Sequence, residues 1–203
     1  MKISAQLLAV PVLLLGLTAC AGSNDAPASA PTAPSVEPAV AETTQAQPTS
    51  GLSERGNLMK RVGESAGITL EGHESTPALT FVVNEIDVNP KCTTSYAQKP
   101  ENGHFVTVDI SAETGPQDQF KNAFYGEDLM FSPHDWKFIT PSGTTTNSVA
   151  TTAAYTCLDE ADRIPNMGPA ERARGKVVLD LPDKTGTLIY SPSPSEGSWE
   201  WKF

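Results

Sequence analysis

Apolar and polar residues alternate in short runs along the second half of this chain, and Pro, Gly or Asn closes most of them. His104–Ala112 is the clearest: Val106, Val108 and Ile110 share one face, and Thr107 and Asp109 the other. Leu79–Val88 is rich in β-branched residues and ends at Asn89-Pro90. Phe81 and Val83 share a face there, and a face switch near Asn84 precedes Ile86 and Val88. Asp135–Thr140 alternates with Trp136 and Phe138 inward, then turns at Pro141–Gly143. Lys176–Leu181 stops at Pro182, Thr187–Tyr190 follows, and Ser198–Phe203 sets Trp199, Trp201 and Phe203 on one face.

Helical periodicity is sparse. One short turn is expected around Gln119–Phe124 and another within Ser53–Val62. Ala161–Arg174 holds Pro165, Gly168 and Pro169 and reads as loop. Six or seven short strands without a long helix predict an all-β fold, an antiparallel β-sandwich, with a small barrel as the alternative closure.

The first fifty residues follow different rules. An apolar run from Leu7 to Leu17 leads through Thr18 and Ala19 to Cys20, with Lys2 ahead of it. At about eleven residues this run is far short of the roughly 20 needed to span a bilayer. It reads as a lipoprotein signal peptide, residues 1–19, cleaved before a lipidated Cys20. Ala, Pro, Ser and Thr then fill 21 of the 30 positions from 21 to 50, without an aromatic residue. Such a segment buries too little apolar surface to offset its ordering entropy, so residues 20–50 are expected to be a disordered tether. Its coil reach is about 30 Å. Residues 51–203 form the folded domain, and about 150 residues suffice for a sizeable core.

Charge narrows the partners. With 14 basic and 24 acidic residues the net charge is −10, and a surface of that sign repels nucleic acid and anionic lipid headgroups. The basic residues cluster only at Lys60-Arg61 and at Arg172/Arg174. With Cys20 lipidated, Cys92 and Cys157 remain as an even pair in an exported domain, which predicts one disulfide.

The lipobox and tether stand ahead of Arg55-Gly-Asn-Leu-Met-Lys-Arg-Val-Gly-Glu64, Asn102-Gly-His-Phe-Val106 and Gly175-Lys-Val-Val-Leu-Asp-Leu-Pro182. Together they resemble Gram-positive, actinobacterial-type surface lipoproteins that carry an immunoglobulin-like domain of unknown function. The resemblance implies an immunoglobulin-like sandwich on the extracytoplasmic face of the cell membrane. It implies no catalytic residues.

Candidate chemistry is thin. Gly63-Glu-Ser-Ala-Gly67 spells a nucleophile elbow around Ser65, which requires a strand before the serine and a helix after it. His73, His104 and His134 lie about thirty residues apart, without metal-ligand spacing. Asp159, Glu160 and Asp162 supply hard oxygen ligands that suit Ca2+, without EF-hand spacing. These acids and Trp199 or Trp201 are the candidate binding surface, the tryptophans only if the last strand lies at a sheet edge. The expectation is a non-enzymatic binding module without a metal or cofactor, whose partner is an envelope protein or a cell-wall glycan. The alternatives are a serine hydrolase using Ser65 and a structural or assembly factor of the envelope.

Overall fold

The computed structural model describes residues 51–146, 148–193 and 197–203. The signal peptide, Cys20 and the tether lie outside the described residues. Eight strands run in the order β1 (Leu58–Lys60), β2 (Ser65–Ile68), β3 (Leu79–Val88), β4 (His104–Thr114), β5 (Trp136–Ile139), β6 (Arg172–Leu181), β7 (Thr187–Tyr190) and β8 (Trp199–Lys202). Helix α1 (Gln117–Phe124) follows β4, and α2 (Thr152–Tyr155) lies between β5 and β6. The strands form two four-stranded sheets, ordered β1-β8-β7-β5 and β2-β3-β4-β6. All six strands expected from the sequence form, as does the short helix at Gln119–Phe124.

The inward-facing residues build the core. Val106, Val108 and Ile110 of β4 and Val177, Leu179 and Leu181 of β6 face Phe138, Leu188, Tyr190, Trp199 and Trp201 of the other sheet. Period-2 alternation produces this, since successive side chains on a strand point to opposite faces. The face switch near Asn84 is a β-bulge: Val83 pairs with Ile110, and the next pair is Glu85 with Asp109. The extra residue restores Ile86 and Val88 to the core side. Asn84 donates its amide to Asp109 (2.8 Å) and Ser111 (2.9 Å).

Two expectations are corrected. Ser53–Val62 holds no helical turn. Its second half is β1, which pairs in parallel with β8, Leu58 opposite Trp199 and Lys60 opposite Trp201. A three-residue strand has almost no periodic signature, and the neighbouring strand satisfies its backbone groups. The sandwich is therefore antiparallel except at this edge. The 161–174 loop is also shorter than expected, because β6 begins at Arg172.

One carboxylate fastens the first residues of the domain to the outer face of β8. The Glu200 side chain accepts two hydrogen bonds from Arg55 (both 3.1 Å) and one from Asn57 (3.0 Å). Burial by itself would raise this carboxyl. The Arg55 and Asn57 hydrogen bonds and the Arg55 charge outweigh burial and hold it below its ordinary value of 4.5. A carboxyl depressed in the folded state adds stability above its unfolded pKa, and that stability is lost as pH falls through the folded pKa. Urea unfolding from pH 7 down to pH 3 is therefore expected to show stability falling below about pH 4.5. Glu200→Gln is expected to flatten this acid limb, and an unchanged limb would show that the ion pair contributes nothing.

Candidate binding cleft

Sheet β2-β3-β4-β6 is covered on its outer face as well. Phe105 of β4 and Val178 of β6 are buried there beneath Ala153 and Ala154 of α2, with Cys157 and Leu158. The Cys92–Cys157 disulfide closes this third layer, as the cysteine pairing predicts. Thr151 caps α2 by accepting from the Ala154 N–H (3.2 Å) and donates its hydroxyl to Asp180 (2.8 Å). Asp180 is fully buried. It also accepts from the backbone N–H groups of Glu101 (2.6 Å) and Asn102 (3.0 Å). Three donors on one carboxylate compensate its desolvation and fix two loops to β6.

Beyond this layer the chain returns along the free edge of β6. Arg163 forms a parallel bridge to Lys176, and the Ile164 N–H donates to the Lys176 carbonyl (3.3 Å). Gly175 permits the approach: a Cβ there would stand 2.3 Å from the Ile164 nitrogen and 2.5 Å from the Arg163 carbonyl carbon. Both are backbone atoms, so Gly175→Ala displaces the Arg163–Ile164 segment. An expected loss of about 2 kcal/mol, read by urea unfolding, follows from overpacking.

The space between this returning segment and Phe131–Pro133 is a cleft of about 320 Å3. Its floor is Val177, Val178 and Ile164; Met130 and Tyr155 stand half-exposed at its rim. A reciprocal backbone pair, Leu129 with Met167 (2.9 and 3.0 Å), ties the two walls together. The Arg163 guanidinium donates to the carbonyls of Leu158 and Tyr155 and so stiffens one wall. Lys176 also lines the cleft. It makes no ion pair among the described residues, because Asp109 across the strand is taken by Arg174 (3.0 Å) and Asn84. The cleft can take a compact apolar group with an anionic group beside it.

Two titrating groups lie where β5 begins. Burial pushes the Asp135 carboxyl up, against the opposing effects of the His134 charge and the Ser132 backbone. Burial, and then the Asp135 charge, push the Tyr190 hydroxyl well above its usual value, so it stays protonated.

The structure divides the sequence candidates. Asp159, Glu160 and Asp162 are exposed on a single 3-10 turn beside the cleft wall. Among the described residues no three His, Cys, Asp or Glu side chains are grouped to hold a metal ion. Trp199 and Trp201 are buried in the core at 1% exposure each and offer no contact surface. The reason is β8's position: it lies between β1 and β7, not at an edge. Ser65 is the exposed first residue of β2, an edge strand, so the strand-turn-helix context of a nucleophile elbow is missing. His73 pairs with Gln119 and His104 with Asn89, neither with Ser65. Sequence reasoning missed Met130, Ile164 and Lys176. They lie in irregular chain or on a strand edge, and only Gly175 inside an apolar strand marked a close backbone approach.

Comparison with protein-family models, with curated proteins and with solved structures finds no match to this chain.

Proposed function

We propose that this protein is a lipid-anchored, extracytoplasmic, immunoglobulin-like module that binds an envelope ligand in the β6 cleft without catalysing a reaction. The observation that carries the reading is the cleft itself: an apolar floor, walls fixed by a disulfide and a backbone bridge, and a cation, Lys176, without an ion pair among the described residues. A protein segment with an apolar side chain beside a carboxylate satisfies all of these features. The immunoglobulin-like reading draws support from the strand pairing. β4 pairs with β6, and β5 with β7 and then β8, the arrangement of strands B with E and C with F and G in that fold. Trp136, buried at the start of β5, stands where such domains keep a strand-C tryptophan. The disulfide departs from the fold's inter-sheet bridge, since it joins the outer layer. The Leu17–Cys20 motif supports anchoring.

A photo-crosslinker at Asn166, used on intact envelopes, tests the binding reading. A saturable adduct with one envelope protein is expected, reduced about tenfold in Lys176→Glu and in Ile164→Asp. Labelling that neither substitution changes would overturn it. Radiolabelled palmitate is expected to enter the wild-type chain and not Cys20→Ser. Fluorophosphonate labelling that disappears in Ser65→Ala would replace the non-enzymatic reading with a hydrolase.

A further inference from the structure

A second cleft lies at the other end of β5, on the outer side of sheet β1-β8-β7-β5. About 960 Å3 in volume, it is bounded by the Arg61-Val62 turn, the Ile139–Gly143 turn and the last residues of β8. Its chemistry is opposite to that of the chain as a whole. Arg55, Lys60, Arg61 and Lys202 all line it, four of the chain's 14 basic residues in a protein of net charge −10. Arg55 is neutralised by Glu200 and Lys60 by Glu64. Arg61 and Lys202 are exposed and make no ion pair among the described residues.

Apolar side chains stand among these cations. Met59 and Val62 line the cleft and are 37% and 48% exposed, two large hydrophobic residues three positions apart. An isolated exposed leucine is ordinary, whereas apolar residues grouped beside free cations mark an interaction surface. The chain also enters the domain here. The Gly51 carbonyl accepts from the Met59 N–H (3.1 Å), and the Gly51 Cα lies against the Met59 side chain.

We propose that this face docks the domain on an anionic phospholipid surface. Arg61 and Lys202 meet the headgroups, and Met59 and Val62 enter the interface between them. The proposal rests on the lipid-anchor reading, because the tether keeps the face within reach of the bilayer. Charge complementarity selects the occupant. A second copy docked through the same face brings the same cations to it, and the residues from 21 to 50 carry only Asp25, Glu37 and Glu42 as acids. Cations near an anionic surface each contribute about fivefold in occupancy, and apolar side chains add to this by burial. The β6 cleft lies beside the start of β5 and this one beside its end, so docking leaves the first cleft open to a ligand.

The test uses the full lipoprotein, purified from membranes and reconstituted into vesicles of phosphatidylglycerol or of phosphatidylcholine. Benzoylphenylalanine stands at Val62 in one preparation and at Tyr96, exposed and outside this cleft, in another. Flotation reports the anchor, and irradiation reports lipid adducts. The expected result is at least fivefold more lipid adduct at Val62 than at Tyr96 on phosphatidylglycerol. That excess is expected to be lost on phosphatidylcholine, in 0.5 M salt, where screening shortens to a few ångströms, and in Arg61→Gln/Lys202→Gln. Circular dichroism confirms that each variant is folded. Floating protein with equal adducts at both positions, or with adducts only to its own tether or to a second copy, overturns the docking and leaves the anchor standing. Protein that does not float overturns the anchor, and the docking with it.

Discussion

Phe81→Ala is expected to lower unfolding stability by about 4 kcal/mol, the range found when a buried aromatic is truncated. Phe81 is 1% exposed on β3 and crosses from its own sheet into the aromatic residues of the other. Its ring stands edge-on to Phe131 (5.7 Å), Tyr190 (5.5 Å) and Trp199 (5.2 Å) and is tilted against Trp201 (6.2 Å). Edge-to-face pairs each add about 1 kcal/mol beyond burial, because the positive ring edge meets a negative face. These neighbours also hold one another: Tyr190 contacts Trp136 at 4.8 Å and stacks on Phe131 at 5.4 Å. They cannot collapse into the void, so the cavity remains and its cost adds to the lost transfer energy. Urea unfolding followed by tryptophan fluorescence measures the effect directly. A loss below about 1 kcal/mol would mean that the two sheets do not share this core.

The second large effect is expected from Cys92→Ala/Cys157→Ala. A cross-link over 65 positions removes loop entropy from the unfolded chain worth about 4 kcal/mol. For a domain of this size that corresponds to a fall in melting temperature of about 10 °C. The loss has a local part. Cys157 is fully buried with Phe105, Leu158 and Val178, a cluster too small to hold its layer unaided. Without the bridge, the layer keeps the Thr93 and Thr94 hydrogen bonds to Cys157 and Thr156. Hydrogen exchange is therefore expected to accelerate first in residues 91–103 and 149–166, with β4 and β6 protected until global unfolding. Uniform acceleration would show that the layer and the sandwich unfold as one unit. Because Arg163 is held by the Leu158 and Tyr155 carbonyls of this layer, the double substitution is also expected to weaken capture at the β6 cleft.

The two clefts differ in how they are made. The β6 cleft depends on main-chain pairing at Gly175 and at Leu129/Met167, so backbone changes disturb it most. The basic cleft depends on side chains converging from β1 and β8, so charge substitutions alter it without threatening the core.

The sequence by itself determined the sandwich faces. Strict alternation in Val106–Ile110 and in Trp136–Phe138 specifies which side chains are buried, because a one-residue slip would expose all of them. It also placed the face switch near Asn84, since the hydrophobic positions change parity there, and it paired Cys92 with Cys157 by elimination. Tertiary structure alone decided the rest. β1 and β2 have three and four residues, too few for a period, and they form because β8 and β3 offer unpaired backbone groups. The pairing of β1 fixes β8 as an interior strand, which turns Trp199 and Trp201 from expected contacts into core. Arg61 and Lys202 are far apart in the chain and meet only because β1 lies beside β8. A net charge counts residues without placing them, so an acidic composition gave no sign that Arg61 and Lys202 line one cleft beside Arg55.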